Sequence, residues 1–452
     1  MEDALFCSMA APRTGFENVS SKSVRFSVVI SQSNKPIEMI DDVAAGCQVT
    51  GQVATIDPDR LSRISVAYAI HSMRIGGAER SIARLINSLD HNRFAPLVVC
   101  LSRTGPAANW IEACDVPVIE LGTRKAFDRS VIRRFAEVLE HHQVDVLHSH
   151  NWGTLIESHL ARRRAKVPVH IHAERGSVLG AAEMRGLRMR VRGRMAGWAM
   201  RRCDAVVTNA HTVARRIEDR CGYPAENVYV IPNGVEAPDG LLSAEQASVR
   251  RRELGVPDGA VLLGSVGRLV PVKGFDLAIR ALAKLMAEGR GYHLMFVGDG
   301  PEQERLTDLA VELAVSDRVH FAGHQDNVGP WLSLFDLYLN TSHSEGMSQS
   351  MVEALAAGCP VVATEVGDSA EVLGRNGECG RLVPPADVDA LVGGIGELSS
   401  ADCRLSLRGA AMRRHQQLFA AVQMAQRYAQ LYRQMLAIRQ GTRLSSAGNV
   451  HQ

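Results

Sequence analysis

The chain lacks the marks of several protein classes. Its nine cysteines are odd in number and scattered, with no C-x-x-C pair, a pattern that fits reduced structural thiols in a cytoplasmic protein rather than a disulfide framework. No apolar run approaches the ~18 residues that mark a membrane span. The opening MEDALFCSMAAPRTG has no basic start followed by an apolar stretch, so export is not expected. A net charge of +2 argues against nucleic acid as a partner. What remains, at 46% hydrophobic and 22% charged residues, is the composition of a globular protein. The length of 452 residues is about three times the ~150-residue domain prior, so two domains with attachments are expected.

Hydrophobic patterning divides the chain. Residues 1–61 are rich in Ser, Asn and Gln with short apolar patches and read as a partly disordered extension. From Arg63, short apolar strands alternate with helix-length segments: ISVAYAI (64–70), APLVVCL (95–101), VPVIEL (116–121), VDVLHSH (144–150), PVHIHAE (168–174), DAVVTNA (204–210) and VYVIPNG (228–234). The alternation restarts at VLLGSVGRL (261–269) and runs through HLMFVGDG, VHFAGH, LYLNTSH, PVVATEV and GRLVPP. Strand–helix alternation predicts parallel sheets covered on both faces. The expectation is an α/β protein of two doubly wound, Rossmann-like domains, 62–235 and 236–402, facing across a cleft. Helices over 403–438 and a disordered tail over 439–452 follow.

In open α/β sheets ligands bind at the carboxyl ends of the strands. After the first strand, Gly76 and Gly77 precede a helix; glycines let backbone approach a ligand, and a helix start offers free N–H groups to anions. The G-x-G-x-x-G dinucleotide fingerprint is missing. In GSVGRLVPVKGF (264–275), Arg268 and Lys273 flank a turn containing Pro271 and Gly274, an arrangement suited to clamp a diphosphate. In SHSEGMSQSMVEALAAGCPVVAT (342–364), Glu345 lies in a loop at a strand's carboxyl end and Glu353 in the first two turns of the next helix. Backbone N–H groups of Gly346, Met347 and Ser348 would face an anion. Glu353 could accept hydrogen bonds from a ribose diol, and Glu345 could reach a sugar.

The ordered set IGGAE, IPNGVE, GRLVPVKGF, VGDGPE and SEGMSQSMVEALAAGCPVVAT resembles the family 4 glycosyltransferases, retaining enzymes of the GT-B fold, over about 62–438. The resemblance implies a UDP- or GDP-linked sugar donor held by the second domain. Arg268, Lys273 and 346–348 would bind its diphosphate, Glu353 its ribose, and Glu345 would sit by the transferred sugar. The tail helix would cross back to brace the first domain. HSHNWGT (148–154) and HIHAERG (170–176) look most like transferases of bacterial exopolysaccharide systems, which implies a lipid-linked or polysaccharide acceptor. The family keeps a functional histidine in this region, and His172 is the expected one, although related sequences often carry a second histidine where Arg175 stands. No D-x-D carboxylate pair follows an appropriate strand, so neither metal nor cofactor is expected. Two rival readings are a nucleotide-sugar epimerase of the same fold and a nucleotide-binding protein without turnover.

One further segment, RGLRMRVRGRMAGWAMRR (185–202), holds seven arginines and no acid, interleaved with Leu187, Met189, Val191, Met195, Trp198 and Met200. A basic amphipathic stretch with a tryptophan suits an anionic lipid surface. Arg188, Arg190, Arg192 and Arg194 are therefore expected on the membrane or acceptor side, with the protein on the inner face of the plasma membrane.

Overall fold

The computed structural model describes residues 27–29, 63–123, 128–175, 187–289 and 291–441. Two parallel sheets carry the chain. The first comprises β1 (Ser27–Val29), β2 (Ile64–Ile70), β3 (Phe94–Cys100), β4 (Val118–Glu120), β5 (Val146–His150), β6 (Val169–Glu174), β7 (Ala205–Thr208) and β8 (Val228–Val230), in spatial order β1-β4-β3-β2-β5-β6-β7-β8. The second comprises β9 (Val261–Val266), β10 (Tyr292–Val297), β11 (Val319–Phe321), β12 (Leu337–Asn340), β13 (Val361–Thr364) and β14 (Gly380–Val383), in order β11-β10-β9-β12-β13-β14. Strands such as ISVAYAI and YHLMFV are mostly apolar and almost wholly buried, as parallel strands sandwiched between helices must be.

The expected extension is more than a tail in one place. Ser27–Val29 pairs with β4, Ser27 opposite Val118 and Val29 opposite Glu120, and forms the edge of the first sheet. The rest of 1–61, and the expected tail beyond Gly441, lie outside the described residues.

Strand order reverses once in each sheet. From β2 the first sheet grows outward through β3 and β4, then resumes on the other side with β5. From β9 the second grows through β10 and β11, then resumes with β12. Such a switch leaves a crevice at the carboxyl ends of the two central strands. The loops after β2 and β5, and those after β9 and β12, therefore define the cleft.

The chain leaves the first domain at Val235 and returns beside the same residue. Val235 N–H donates to Phe419 O at 2.8 Å. His415 Nε2 donates to Val235 O at 2.8 Å. After one π-helical turn, His415–Phe419, the helix Ala421–Arg439 lies on the first domain. Its buried residues Met424, Tyr428, Leu431, Tyr432 and Met435 recur at helical spacing and share a core with Val66, Tyr68, Ile82 and Phe94. Tyr432 OH is 3.1 Å from Tyr68 OH and 2.9 Å from His148 Nδ1. The last helix thus supplies a face of the first domain's core, not only a strap across its surface.

A second tie is polar. The helix His211–Cys221 starts after Ala210, which offers no side-chain cap. Asp368, from the loop after β13 in the other domain, supplies it. Its carboxylate accepts from His211 N at 2.6 Å and Thr212 N at 3.1 Å. A carboxylate at a helix N-terminus is favoured both as a cap and against the helix dipole.

Candidate active site

The loop after β9 is fixed by its neighbour after β10. Gly267 N donates to Val297 O at 2.9 Å, and Leu269 N to Asp299 O at 2.7 Å. The backbones approach so closely that a Cβ on Gly298 would lie 2.0 Å from Gly267 O, and one on Gly300 would lie 2.4 Å from Leu269 O. Their φ values of +139° and +153° also belong to a region that side chains rarely enter. The VGDG glycines therefore place Arg268, which is exposed and makes no ion pair among the described residues.

The same loop is stitched to the one after β12. Thr341 Oγ1 donates to Lys273 O at 3.1 Å, and His343 N to Val272 O at 2.8 Å. Gly274 turns in the left-handed region, φ +59°, before the helix Phe275–Ala287. Lys273 Nζ and Glu345 Oε1 pair at 2.5 Å, and Ser342 Oγ is 2.9 Å from the same oxygen. Thr364 Oγ1 steadies this loop through Ser342 O at 2.6 Å. The cation and the acid assigned separately from sequence thus meet in one charge-compensated pair.

Met347 and Ser348 are buried where the chain enters the helix Gln349–Ala356. Ser348 takes the N-cap position, but its side chain caps no backbone N–H, so this helix start retains donors for an anion. Gly346 faces the other domain, where its Cβ would stand 3.9 Å from that of Ala210. Its carbonyl accepts from Asp368 N at 2.8 Å, joining the loop to the interdomain cap.

Glu353 lies in the helix's second turn with its side chain 15% exposed. Burial raises its pKa; Arg84 and Arg80 oppose that shift and Glu236 reinforces it. Among the described residues no hydrogen bond reaches either carboxylate oxygen; the nearest partner is Arg84 Nη2, 3.8 Å from Oε1. A shielded carboxylate with free lone pairs is a ready acceptor for hydroxyls.

On the first domain, Gly76 is the uncapped N-cap of the helix Gly77–Ser88, at the carboxyl end of β2. The histidines divide differently from the expectation. His172 is fully buried, two residues inside the end of β6 rather than at it, with Nδ1 2.9 Å from Ser149 Oγ and Nε2 3.8 Å from Glu174 Oε2. His150 is the last residue of β5, at the switch point, and neither of its buried ring nitrogens has a hydrogen-bond partner. Burial, then His148, Arg175 and His172, lower its pKa, so its imidazole is neutral. Arg175 is bound into the cleft wall: it donates to Ser81 Oγ, to Asn233 Oδ1 at 2.5 Å and to Tyr428 OH at 3.1 Å.

The arginine-rich segment forms the helix Leu187–Met200. Ala196, Ala199 and Met200 are buried, and Met195 and Trp198 pack against the same core. Trp198 meets His159 edge to face at 4.8 Å, with Arg202 over its ring at 4.3 Å. Arg194 and Val191 are exposed, while the side chains of Arg188, Arg190 and Arg192 lie outside the described residues. The apolar residues expected to meet lipid are, from Met195 onward, largely used by the protein core. No described helix is long and apolar enough to cross a membrane.

Sequence reasoning missed three residues at the cleft. Asp368 carried a signal, since Gly367-Asp368 follows a strand. So did His150, which ends one of the two central strands. Arg84 carried none: nothing in its local sequence distinguishes it from a solvated helix arginine.

Two doubly wound domains with facing switch points define the GT-B fold. Models of the families described as "Glycosyltransferase Family 4" and "Glycosyl transferases group 1" match residues 75–237 and 260–401. The D-inositol 3-phosphate glycosyltransferase of Acidothermus cellulolyticus is 36% identical over 310 residues, covering 64% of this chain and 68% of that protein. The lipopolysaccharide core biosynthesis glycosyltransferase LpsE of Rhizobium meliloti is 34% identical over 212 residues, covering 46% and 58%. Among solved structures, Anabaena HepE in complex with UDP shares the fold with a TM-score of 0.70 at 22% identity, over 82% of this chain and 100% of that one. The chain belongs to the family 4 glycosyltransferases.

The glycine pair yields a direct test. Gly298→Ala should destabilise the protein by about 1–3 kcal/mol or more and weaken nucleoside diphosphate binding by displacing Arg268. Gly291→Ala, at an exposed site where a Cβ meets nothing within 4 Å, should do neither. Thermal melts and calorimetric titration read both effects, and equal behaviour of the two variants would contradict the placement.

Proposed function

We propose that the chain transfers a sugar, with retention, from a nucleoside-diphosphate sugar to an acceptor hydroxyl during polysaccharide or glycolipid assembly. The observation that carries this reading is the convergence at the second sheet's switch point. Two cations follow β9, and an uncapped helix start and a shielded carboxylate with no hydrogen bond among the described residues follow β12, so all stand at the carboxyl ends of the two central strands. The UDP bound to HepE favours a uridine nucleotide. The named roles of the relatives, on inositol phosphate and on lipopolysaccharide core, favour a hydroxyl acceptor on a sugar-like or glycolipid molecule.

In this mechanism the bond between the anomeric carbon and the diphosphate oxygen breaks, and negative charge grows on the phosphate. Arg268, Lys273 and the amides of 346–348 stabilise it, which makes a metal unnecessary. Lys273 exchanges part of its pairing with Glu345 for the diphosphate, leaving Glu345 beside the transferred sugar. The acceptor oxygen bonds to the anomeric carbon on the face being vacated, and its proton passes to the departing phosphate oxygen. Neutral His150, fully buried at the end of β5, forms part of the first-domain wall facing the sugar. His172, hydrogen-bonded to Ser149, supports that wall from within the sheet.

A thermal-shift screen of UDP, GDP and ADP, followed by their sugars, identifies the donor. A ligand at ~100 times its dissociation constant adds about 2.7 kcal/mol of stability. With that donor, Arg268→Ala and Lys273→Ala should each cost roughly 2–4 kcal/mol in transfer, and EDTA should leave the wild-type rate unchanged. Near-wild-type transfer in both variants would overturn the site, and an EDTA-abolished rate restored by Mg²⁺ or Mn²⁺ would overturn the metal-free reading. Conversion of the donor to a free epimer without acceptor would identify an epimerase instead.

The same reading places a lipid-linked acceptor at an anionic membrane surface reached through the arginine-rich helix. Each arginine near such a surface is worth about 1 kcal/mol. Anionic vesicles should bind the protein in low salt and release it as salt rises, and simultaneous Gln replacement of Arg188, Arg190, Arg192 and Arg194 should abolish binding. Indifference of the wild type to vesicles would favour a soluble acceptor.

A further inference from the structure

Arg84 stands on the helix Gly77–Ser88 of the first domain, yet three of its contacts lie at or across the domain boundary. Its Nε donates to Glu236 Oε2 at 3.0 Å, its Nη1 to Gly234 O at 3.4 Å, and its Nη2 stands 3.8 Å from Glu353 Oε1. Gly234 and Glu236 flank the point where the chain leaves the first domain. Glu353 belongs to the second domain, in the crevice assigned to the donor. The Arg84 side chain is 13% exposed, so water screens its approach to Glu353 weakly.

We propose that Arg84 is a positioning residue for donor binding: a first-domain cation that orients and charge-balances the Glu353 carboxylate for the ribose diol, and so couples the relative placement of the two domains to nucleotide affinity. The proposal rests on the reading of Glu353 as the ribose acceptor.

Geometry limits the alternatives. At 3.8 Å, Arg84 makes an ion pair with Glu353 but donates no hydrogen bond to it, so the lone pairs needed by two hydroxyls remain available. A direct fork would have consumed them. Glu236 draws the Nε edge of the guanidinium toward the crossing and fixes its angle. The charged and titratable groups facing Glu353 are Arg84 and Arg80 from the first-domain helix, Glu236 from the crossing, and Tyr338 from β12. Both cations come from the first domain. Burial favours the protonated acid, and Arg84 is the larger of the two influences that oppose it. A protonated Glu353 would keep acceptor capacity but lose the charge that strengthens its bonds to hydroxyls. If the domains separate, the carboxylate loses both cations and its grip on ribose weakens. By reciprocity, a bound nucleotide draws the domains together.

The sign of the pH effect follows. Removing Arg84 raises the pKa of Glu353 further, so the carboxylate protonates at a higher pH and nucleotide affinity is lost from the acid side earlier. The test is calorimetric titration of the full chain with uridine diphosphate and guanosine diphosphate, from pH 5 to 9, for wild type, Arg84→Gln, Arg84→Lys and Glu353→Gln. The expected result is an acid limb shifted to higher pH in Arg84→Gln, an alkaline plateau closer to wild type, and recovery toward the wild-type profile in Arg84→Lys. A uniform loss across the pH range, or no loss, in Arg84→Gln would overturn the proposal, since a structural role alone has no reason to follow the ionisation of Glu353. Glu353→Gln separates the two readings. If it binds both nucleotides as wild type does, or if wild type binds neither, the ribose assignment fails and this proposal with it. If it binds weakly at every pH while the Arg84→Gln profile is unshifted, only the role of Arg84 fails.

Discussion

A carboxylate removed from water without hydrogen-bond donors is costly, and Glu353 is held in that condition by both domains at once. The cost is kept down because the first domain presents Arg84 and Arg80 to it. In the proposed function a ligand's hydroxyls offset what remains. Much of the cleft serves the same requirement. The second domain's switch point sets Glu353, Lys273 and Arg268 on the segments that follow its two central strands. The crossing at Val235 and Phe419 holds the helix that carries Arg84 within reach.

Three ties of different chemistry maintain that placement. The helix Ala421–Arg439 buries apolar surface in the first domain's core, a contact insensitive to salt and pH over ordinary ranges. Asp368 caps a first-domain helix from the second domain, and its own N–H donates to Gly346 O, which joins this tie to the loop 346–348. Arg84, 3.8 Å from Glu353, completes the set. In the proposed function, closing the cleft would assemble the donor site and opening it would disperse the site, through contacts that touch its two ends separately. Local openings of this kind are drawn from the weaker ties, here the two polar ones.

The sheet architecture was legible because parallel strands buried on both faces are mostly apolar, and short apolar runs alternating with helix-length segments mark thirteen of the strands. The strand Ser27–Val29 did not: three residues of an edge strand carry too little pattern to stand out from a polar segment. That Arg268, Lys273 and Glu345 fall at strand ends and Glu353 on the helix that follows was legible because loops at strand ends are short and their spacing is set by turn and helix geometry. The contact between Lys273 and Glu345 was not, since it depends on how two loops far apart in sequence are stitched through Thr341 and His343. The histidines show the limit most clearly. Alternation puts each pair on one face of its strand, but only strand order identifies β5 as central and makes His150 its last residue. Arg84 and Asp368 act across the domain boundary, and no local pattern encodes which helix start or carboxylate a distant residue will meet.

The central claim is that a nucleoside-diphosphate sugar is held at the second domain's switch point, with its diphosphate on Arg268, Lys273 and the 346–348 amides and its ribose on Glu353. A crystal structure of the protein bound to its nucleoside diphosphate tests this most directly. The account predicts phosphate oxygens within hydrogen-bond distance of both cations and of the helix start at Gln349, with both ribose hydroxyls on the Glu353 carboxylate. A nucleotide seated on the first sheet, or one whose ribose leaves Glu353 without a hydroxyl partner, would contradict it.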